Sequence, residues 1–228
     1  ALMLSHDTGL AIAEFFSNRK FENLVAVYFE EQSDYSENVC AILGVNPDRV
    51  FYGKKISSSS EHINWLKKQD VDFVITVYWP WLLGNEYLSA VKNSVNFHPA
   101  LLPVNRGWYP HVHSIIDDSV LGVTLHKISE GADEGDVWSQ KKISIPENYT
   151  AMDAYLLLQK EIFKLFTKKW SLIRDNKIKA FPQESVKSNY HKKSEIDNLD
   201  FIDINNNNNK SIIKKLRARS FGNKGFAY

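Results

Sequence analysis

The chain has almost no cysteine and no long apolar run, and each shortage excludes a class of protein. Cys40 is the single cysteine, which excludes an internal disulfide framework and fits a reducing cytoplasm. No apolar run is long enough to span a bilayer, so we expect no membrane partner. The start lacks the basic and hydrophobic segments of a secretory signal. Because the chain begins at Ala1 within an apparent strand, we expect its natural start to lie further upstream.

Charge imbalance and metal-binding motifs are scarce as well. Lys and Arg number 28 and Asp and Glu 27, so a net charge of +1 argues against a nucleic-acid partner. The histidines are scattered and form no cluster at metal-ligand spacing, so no metal is expected. The turn His6-Asp-Thr-Gly9 lacks the G-x-G-x-x-G pattern, which favours a helix cap over a dinucleotide site.

Hydrophobic periodicity indicates alternating strands and helices around one main core. An apolar share of 43% over 228 residues suffices for one substantial core with a small appendage. The predicted strands are 1–4, 24–29, 49–52, 71–78, 95–98, 121–128 and 137–145. The predicted helices are 10–18, 35–43 with Gly44 as its end, one after the serine run 57–60, 86–92, 110–116, 149–173 and one from about 211. The Asn run at 205–209 is most simply a turn.

Two polar side chains stand at alternate positions where the predicted strand 95–98 ends. Successive strand residues face opposite sides, so Asn96 and His98 point the same way, and Pro99 stops the strand just after them. An amide can stabilise an oxyanion and an imidazole can move a proton near neutral pH, so the pair suits acyl transfer. A hydrogen-bonded Asn and a capping His explain the pair alone equally well.

Two loops offer ligand contacts. The loop Tyr78-Trp-Pro-Trp-Leu-Leu-Gly84 follows a predicted central strand, and ligands of open α/β sheets sit beyond the carboxyl ends of strands. This loop could sandwich a flat heterocycle, or it could simply be core under a loop. The second loop, Gly131-Ala-Asp-Glu-Gly-Asp136, is acidic, and Asp133 by itself is typical of a turn residue.

Four motifs occur in an order that resembles the folate-dependent formyltransferases. They are Asn96-Phe-His-Pro-Ala-Leu-Leu-Pro103, Arg106-Gly107 with Pro110, Gly122-Val-Thr-Leu-His126 and Asp133-Glu-Gly-Asp136. The ordered match runs from about residue 70 to 160. The resemblance implies an α/β fold with a Rossmann-like, doubly wound, mostly parallel sheet. We divide it into a catalytic domain at 1–175 and a small C-terminal α/β extension at 176–228, expected to serve substrate binding or dimerisation.

The resemblance also implies which residues act. It implies transfer of a formyl group from the co-substrate N10-formyltetrahydrofolate to an amine. The expected catalytic residues are Asn96, His98 and Asp133. The expected folate-binding residues are Trp81, Leu82, Leu83 and Asp136. His126 is expected to be structural or to support the catalytic groups. Ala100 and Glu134 stand where Ser and a small residue are common in the family, which bears on loop shape.

The acceptor is predicted from what the chain has outside these motifs. It lacks the glycine-rich phosphate loop of the glycinamide ribonucleotide enzyme and the C-terminal β-barrel of the initiator-tRNA enzyme. The compact form resembles the sugar N-formyltransferases, which act on nucleotide-linked amino sugars for surface polysaccharides such as O-antigen. We expect the acceptor to be dTDP-4-amino-4,6-dideoxyglucose. The expected substrate-binding residues are Arg106, Gly107, Trp108, Tyr109 and Tyr190. Arg106 or the basic tail would face a pyrophosphate; this tail consists of Lys210, Lys214, Lys215, Arg217, Arg219 and Lys224.

Other functions stay open at this point. A methionyl-tRNA formyltransferase-like enzyme without its C-terminal domain would bind tRNA with salt-dependent affinity. A formyl-folate hydrolase would use water in place of the amine, and a folate- or nucleotide-binding module would need no catalytic trio. The leading interpretation is a cytoplasmic enzyme without metal, membrane or nucleic-acid partner, and the last strands and helix are a candidate homodimer surface.

Overall fold

The computed structural model of the chain describes residues 1–19, 23–184, 188–205 and 208–228. Its strands are β1 (Leu2–Leu4), β2 (Val27–Phe29), β3 (Val50–Tyr52), β4 (Val71–Val77), β5 (Val91–His98), β6 (Arg106–Gly107), β7 (Leu121–His126), β8 (Val137–Ile143), β9 (Tyr190–His191), β10 (Ser220–Phe221) and β11 (Lys224–Gly225). Its α-helices are α1 (His6–Ser17), α2 (Asp34–Leu43), α3 (Ser60–Lys68), α4 (Asn85–Leu88), α5 (Pro110–Asp117), α6 (Ala151–Arg174) and α7 (Asn209–Ala218). Within these ranges no helix has the length and apolar character that crossing a membrane requires.

A seven-stranded sheet in the order β3-β2-β1-β4-β5-β7-β8 forms the centre of the fold. The first five strands pair in parallel, whereas β7 pairs antiparallel with β5, and β8 pairs antiparallel with β7. The strand order reverses between β1 and β4, and a crevice forms at such a switch point beyond the carboxyl ends of the strands. The antiparallel pairing of β5 with β7 places Asn96 opposite His126.

Helices cover both faces of this sheet, which confirms the predicted mostly parallel α/β fold. Alternate residues of one strand enter different cores: Leu2 and Leu4 join the larger core, and Met3 joins the smaller one. The larger core packs against α1, α2, α5 and α6, whereas α3 and α4 supply the smaller core. This alternation is expected for strands buried on both faces.

Two element boundaries differ from the sequence prediction in ways that matter for the site. Helix α1 begins at His6, so the His6-to-Gly9 turn forms its first turn instead of preceding it. The predicted helix 86–92 was wrong beyond Leu88, because the chain there joins β5 and pairs with β4 from Val91 onwards. Gly44 ends α2 in the left-handed conformation, as predicted.

The chain after α6 returns to the sheet and to the loops beside it. Phe181 bridges to Val137, and β9 pairs in parallel with the short strand β6. Helix α7 packs against α5, and β10 pairs with β11 in a hairpin. Residues 206 and 207 of the Asn run lie outside the described residues, so the predicted turn there stays a prediction.

Candidate active site

A cleft of about 320 Å³ opens at the carboxyl ends of β4 and β5. Residues 78–83, 96–99, 107–111 and 131–133 line it. The first two segments leave the ends of neighbouring parallel strands, and the third and fourth are loops that follow β5 and β7. The position agrees with the rule that ligands bind outside the carboxyl ends of parallel strands.

The structure brings together the three residues predicted to be catalytic. His98 Nδ1 lies 3.4 Å from Asp133 Oδ2. Asn96 Nδ2 donates to Asp133 Oδ1 over 3.3 Å. Asn96 and His98 come from the same face of β5, as alternation predicted, and Asp133 comes from a loop more than thirty residues further along. An amide donor, an imidazole and a carboxylate therefore meet at one end of the cleft.

Burial sets the charge state of this trio. Burial lowers the pKa of His98, and although Asp133 raises it, the net pKa lies below the ordinary histidine value. Burial raises the pKa of Asp133, but His98, His126 and the Gly107 N–H outweigh it and hold that pKa well below the ordinary range. Near neutral pH the site thus holds a neutral imidazole beside an ionised carboxylate, although protonated His98 is the form that would stabilise an oxyanion.

Neighbouring side chains fix the orientation of the Asn96 amide. The Thr76 hydroxyl donates to Asn96 Oδ1 over 2.6 Å, which turns Nδ2 towards the carboxylate. Asn96 Nδ2 also lies 2.9 Å from His126 Nε2. His126 Nδ1 lies 2.7 Å from the Lys127 carbonyl, and a carbonyl only accepts, so Nδ1 carries the hydrogen and Nε2 is free to accept from Asn96.

The main chain of the loop after β5 contacts both the imidazole and the carboxylate. The Asn105 carbonyl lies 2.9 Å from His98 Nε2, and the Gly107 N–H donates to Asp133 Oδ2 over 2.9 Å. Gly107 has φ of 86°, and a Cβ there would overlap the His191 carbonyl. Only glycine combines this conformation with such a close approach.

The aromatic loop after β4 forms one wall of the cleft. Trp81, Leu82 and Leu83, which are the predicted folate contacts, all line it. Trp79 and Trp81 meet edge to face with their ring centroids 5.0 Å apart, and Leu83 is buried beneath them while Leu82 is exposed. The structure does not bring Asp136 into the cleft; its carbonyl accepts from the Lys127 N–H, so a role in folate binding stays a prediction.

Four of the five predicted substrate-binding residues also line the cleft. They are Gly107, Trp108, Tyr109 and Tyr190. The Lys193 ammonium lies 4.8 Å from the centre of the Trp108 ring. The fifth, Arg106, does not line the cleft, because its guanidinium pairs with Glu134 at 2.5 Å. Glu134 is one of the two departures from the family pattern, and this ion pair gives it a partner.

The basic tail does not converge on the cleft. Lys210 and Lys214 contact Asp118, and Lys215 donates to the Phe201 carbonyl. Arg217 donates to the Tyr149 carbonyl. These contacts attach α7 to the rest of the protein and give its cations structural partners.

Several residues that support the trio were missed by sequence reasoning. They are Thr76, Asn105, Gln183, Asn189 and His191. Gln183 Nε2 donates to the carbonyls of Asp133 and Gly135 over 2.8 Å each, which holds the acidic loop from the far end of the chain. The polar Thr76 within an apolar strand was the only local signal available for any of them. Gln183, Asn189 and His191 act from distant parts of the chain, and Asn105, seven residues after His98, looks like an ordinary loop residue.

Comparison with known proteins agrees with the geometry of this site. The model of the formyl transferase family matches residues 16–168, which is more than half of the chain. The chain belongs to the formyl transferase family. The matched segment contains Asn96, His98 and Asp133, the three residues predicted to be catalytic.

Members of the formyl transferase family with different acceptors resemble the chain. A dTDP-4-amino-4,6-dideoxyglucose formyltransferase of Mycobacterium tuberculosis is 32% identical over 111 residues, which are 49% of this chain and 47% of that relative. The match thus spans about half the length of this curated relative. A methionyl-tRNA formyltransferase of Ehrlichia ruminantium is 38% identical over 98 residues, which are 42% of this chain and 32% of that relative.

Solved formyltransferases share the fold over nearly the whole chain. A 4-N formyltransferase from Francisella tularensis has a TM-score of 0.80 at 25% identity, covering 100% of this chain and 90% of its own. The formyltransferase PseJ from Anoxybacillus kamchatkensis, solved with UDP-4,6-dideoxy-4-formamido-L-AltNAc and tetrahydrofolate, has a TM-score of 0.64 at 25% identity. That match covers 95% of this chain and 96% of PseJ.

Proposed function

We propose that the protein transfers a formyl group from N10-formyltetrahydrofolate to the amino group of a nucleotide-linked dideoxy amino sugar. The observation that carries this proposal is the meeting of Asn96, His98 and Asp133 at one end of a cleft, with atoms no more than 3.4 Å apart. The cleft is lined by the aromatic and leucine loop 78–83, which suits a flat pterin, and by Trp108, Tyr109 and Tyr190, which suit a base or sugar.

The residues divide the work of acyl transfer between them. The acceptor nitrogen attacks the formyl carbon, the carbonyl oxygen gains negative charge, and the nitrogen then loses a proton. Asn96 Nδ2 would donate to this oxygen in place of its long bond to Asp133. Asp133, ionised, would take the nitrogen's proton directly or through water and pass it to His98 Nδ1. The imidazolium so formed would stabilise the oxyanion and protonate N10 as the carbon–N10 bond breaks.

The acceptor most consistent with the relatives is dTDP-4-amino-4,6-dideoxyglucose. The Mycobacterium relative acts on that sugar by name, and the Francisella and Anoxybacillus neighbours are formyltransferases named for the 4-N position or solved with a 4-formamido sugar. We propose that the segment from residue 176 contributes to substrate binding, with Tyr190 at the cleft and Lys193 over Trp108. A role in O-antigen biosynthesis and a cytoplasmic location follow as proposals from this substrate.

A matched panel of acceptors tests the proposal. The protein is incubated with N10-formyltetrahydrofolate and with dTDP-, UDP- and GDP-linked 3-amino and 4-amino sugars, and mass spectrometry follows the added formyl group. We expect formylation of the dTDP-4-amino sugar at the highest kcat/KM. Each sugar is also supplied with its amine already acetylated as a control, which should accept no formyl group. Absence of any formylated sugar across the panel would refute the proposal.

A tRNA acceptor is the second candidate, because methionyl-tRNA formyltransferases match part of the chain. Charged initiator tRNA belongs in the same assay, together with a measurement of binding against salt concentration. Formylated methionyl-tRNA and a steep fall in affinity with salt would favour this candidate. Formate release without any acceptor would instead indicate a hydrolase.

A further inference from the structure

The second nitrogen of His98 has a partner that decides where its mobile proton sits. His98 Nε2 lies 2.9 Å from the Asn105 carbonyl oxygen, which can only accept. Nε2 therefore carries the hydrogen when the ring is neutral, and Nδ1, facing Asp133 at 3.4 Å, is the atom free to take a proton. The position of one carbonyl thus selects the tautomer that the proposed reaction needs.

The side chain of Asn105 fixes the position of that carbonyl. Asn105 is fully buried and its backbone is left-handed, with φ of 57°. Its Nδ2 donates to the hydroxyls of Ser114 over 2.8 Å and Ser119 over 2.9 Å. Its Oδ1 accepts from Asn189 Nδ2, so both polar atoms of the side chain have partners. A buried network whose polar groups are all satisfied holds one conformation.

Asn189, which is 84 residues further along the chain, contacts Asn105. The Asn105 N–H donates to Asn189 Oδ1 over 2.5 Å, and Asn189 Nδ2 donates back to Asn105 Oδ1 over 3.0 Å. His191 Nε2 lies 3.0 Å from the same Asn105 Oδ1. Asn189 and His191 lie beyond the segment that the family model matches, which ends at residue 168.

The ring of His191 is held by stacking and is not arranged to bind a metal ion. His113, His191 and Glu195 each offer a ligand atom within 4.8 Å of the others. The two imidazoles, however, stack with centroids 3.5 Å apart and only 6° between their planes. Their in-plane lone pairs therefore lie in parallel planes and do not converge on one ion. The stack keeps His191 beside Asn105.

We propose that Asn105 is a positioning residue for His98 and that Asn189 locks it in place. The inference rests on the proposed function, since it assigns His98 the proton-accepting role in formyl transfer. The loop that carries Trp108 and Tyr109 continues from Asn105. The hydrogen bonds between Asn105 and Asn189 therefore also fix where this part of the cleft lining begins. The C-terminal segment then completes the catalytic site without touching the reacting atoms.

Two substitutions separate the effect of the Asn105 side-chain hydrogen bonds from that of its backbone conformation. Asn105→Gly keeps the left-handed backbone and the carbonyl but removes the side chain, and Asn189→Ala removes the partner. We expect either change to lower kcat about tenfold to a hundredfold while the KM for folate stays within about twofold. The kcat of the double variant should be no lower than that of the more impaired single variant, because both substitutions remove the same Asn105–Asn189 interaction. Asn208→Ala, which removes an amide that caps α7, should leave kcat unchanged.

The tautomer of His98 gives a readout that does not depend on turnover. In protein with ¹⁵N-labelled histidine, the His98 ring signals are assigned by comparison with His98→Gln. We expect the wild type to show neutral His98 with its hydrogen on Nε2, and Asn189→Ala to show a mixture of tautomers. This measurement can be made even if no tested acceptor is formylated. A failure of the proposed function can therefore be told apart from a failure of the positioning role.

Two results would overturn the positioning role. One is a wild-type His98 tautomer in the folded Asn189→Ala protein. The other is a fall in melting temperature for Asn105→Gly and Asn189→Ala with kcat unchanged, which would mean that the network serves stability alone. If Asn105→Gly does not fold, the milder Asn189→Ala variant still decides the question, because Asn189 is only half-buried.

Discussion

Thr76 donates its hydroxyl to Asn96 Oδ1 across the parallel pair of β4 and β5, at 2.6 Å. The two residues are opposite each other in the register, so the bond follows directly from the sheet. Because an amide presents an acceptor on one side and a donor on the other, satisfying the oxygen from β4 leaves Nδ2 facing the cleft. The sheet itself thereby aims the group that we assign to the oxyanion.

Removing the Thr76 hydroxyl should therefore weaken catalysis without disturbing the core. Thr76→Val keeps the shape of the side chain but lets the Asn96 amide rotate, and we expect kcat for formyl transfer to fall about tenfold or more. Thr76→Ser keeps the donor and should remain within a few-fold of wild type. Steady-state kinetics on both variants check this. Equal rates in the Val and Ser variants would show that the bond does not orient the amide.

Loss of the carboxylate or of the imidazole should strongly reduce turnover while the fold survives. We expect Asp133→Asn and His98→Ala to lower kcat by about a hundredfold or more, because each removes a proton-transfer group. Circular dichroism should match wild type, and Asp48→Asn on the exposed surface should retain full activity. Near-normal rates in both site variants would mean that the chemistry lies elsewhere.

Gly107 should tolerate no side chain. A Cβ there would overlap the His191 carbonyl and the Tyr190 ring, and its φ of 86° already disfavours other residues. We expect Gly107→Ala to lower the free energy of unfolding by about 1–3 kcal/mol. It should also reduce activity, since the Gly107 N–H contacts Asp133. Gly225→Ala is the control, because a Cβ at Gly225 meets nothing within 4 Å. Equal urea midpoints for the two variants would contradict the expectation.

Stability should fall as the pH drops from about 6.5 to about 4. Burial, helped by His113 and Arg219, lowers the pKa of His111 to about 4, and burial likewise lowers that of His113 to about 4. In that interval the unfolded chain binds protons that the folded protein does not, so the free energy of unfolding decreases as pH falls.

Each of these histidines contributes at most about 3 kcal/mol to this loss. Urea unfolding across the interval measures the slope. His111→Phe should reduce this slope by the contribution of up to one bound proton. An unchanged slope in His111→Phe would show that His111 titrates normally in the folded protein.

Sequence patterns predicted the parts of the site that depend on short-range geometry. Alternation placed Asn96 and His98 on one face, and Pro99 marked the end of their strand. The helix predicted at 86–92 ends at Leu88 in the structure. From Val91 onwards the chain is a strand that pairs with β4. Tertiary pairing overrode local pattern there.

The remaining parts depend on contacts that no local pattern contains. Asp133 looks like an ordinary turn residue until the fold brings it within 3.4 Å of His98. Asn105 and Asn189 are 84 residues apart in the chain, so their reciprocal bonds have no periodic signature. Arg106 carries a charge that suits a phosphate, but its guanidinium already forms an ion pair with Glu134.

The bond between Asn105 and Asn189 has a consequence for biosynthesis. A ribosome completes the segment containing Asn96, His98 and Asp133 well before residue 189 leaves the exit tunnel. Until then the Asn105 N–H lacks its acceptor, and the imidazole lacks a fixed neighbour. The nascent protein should therefore form its sheet first and gain its competence for chemistry only after residue 189 has emerged.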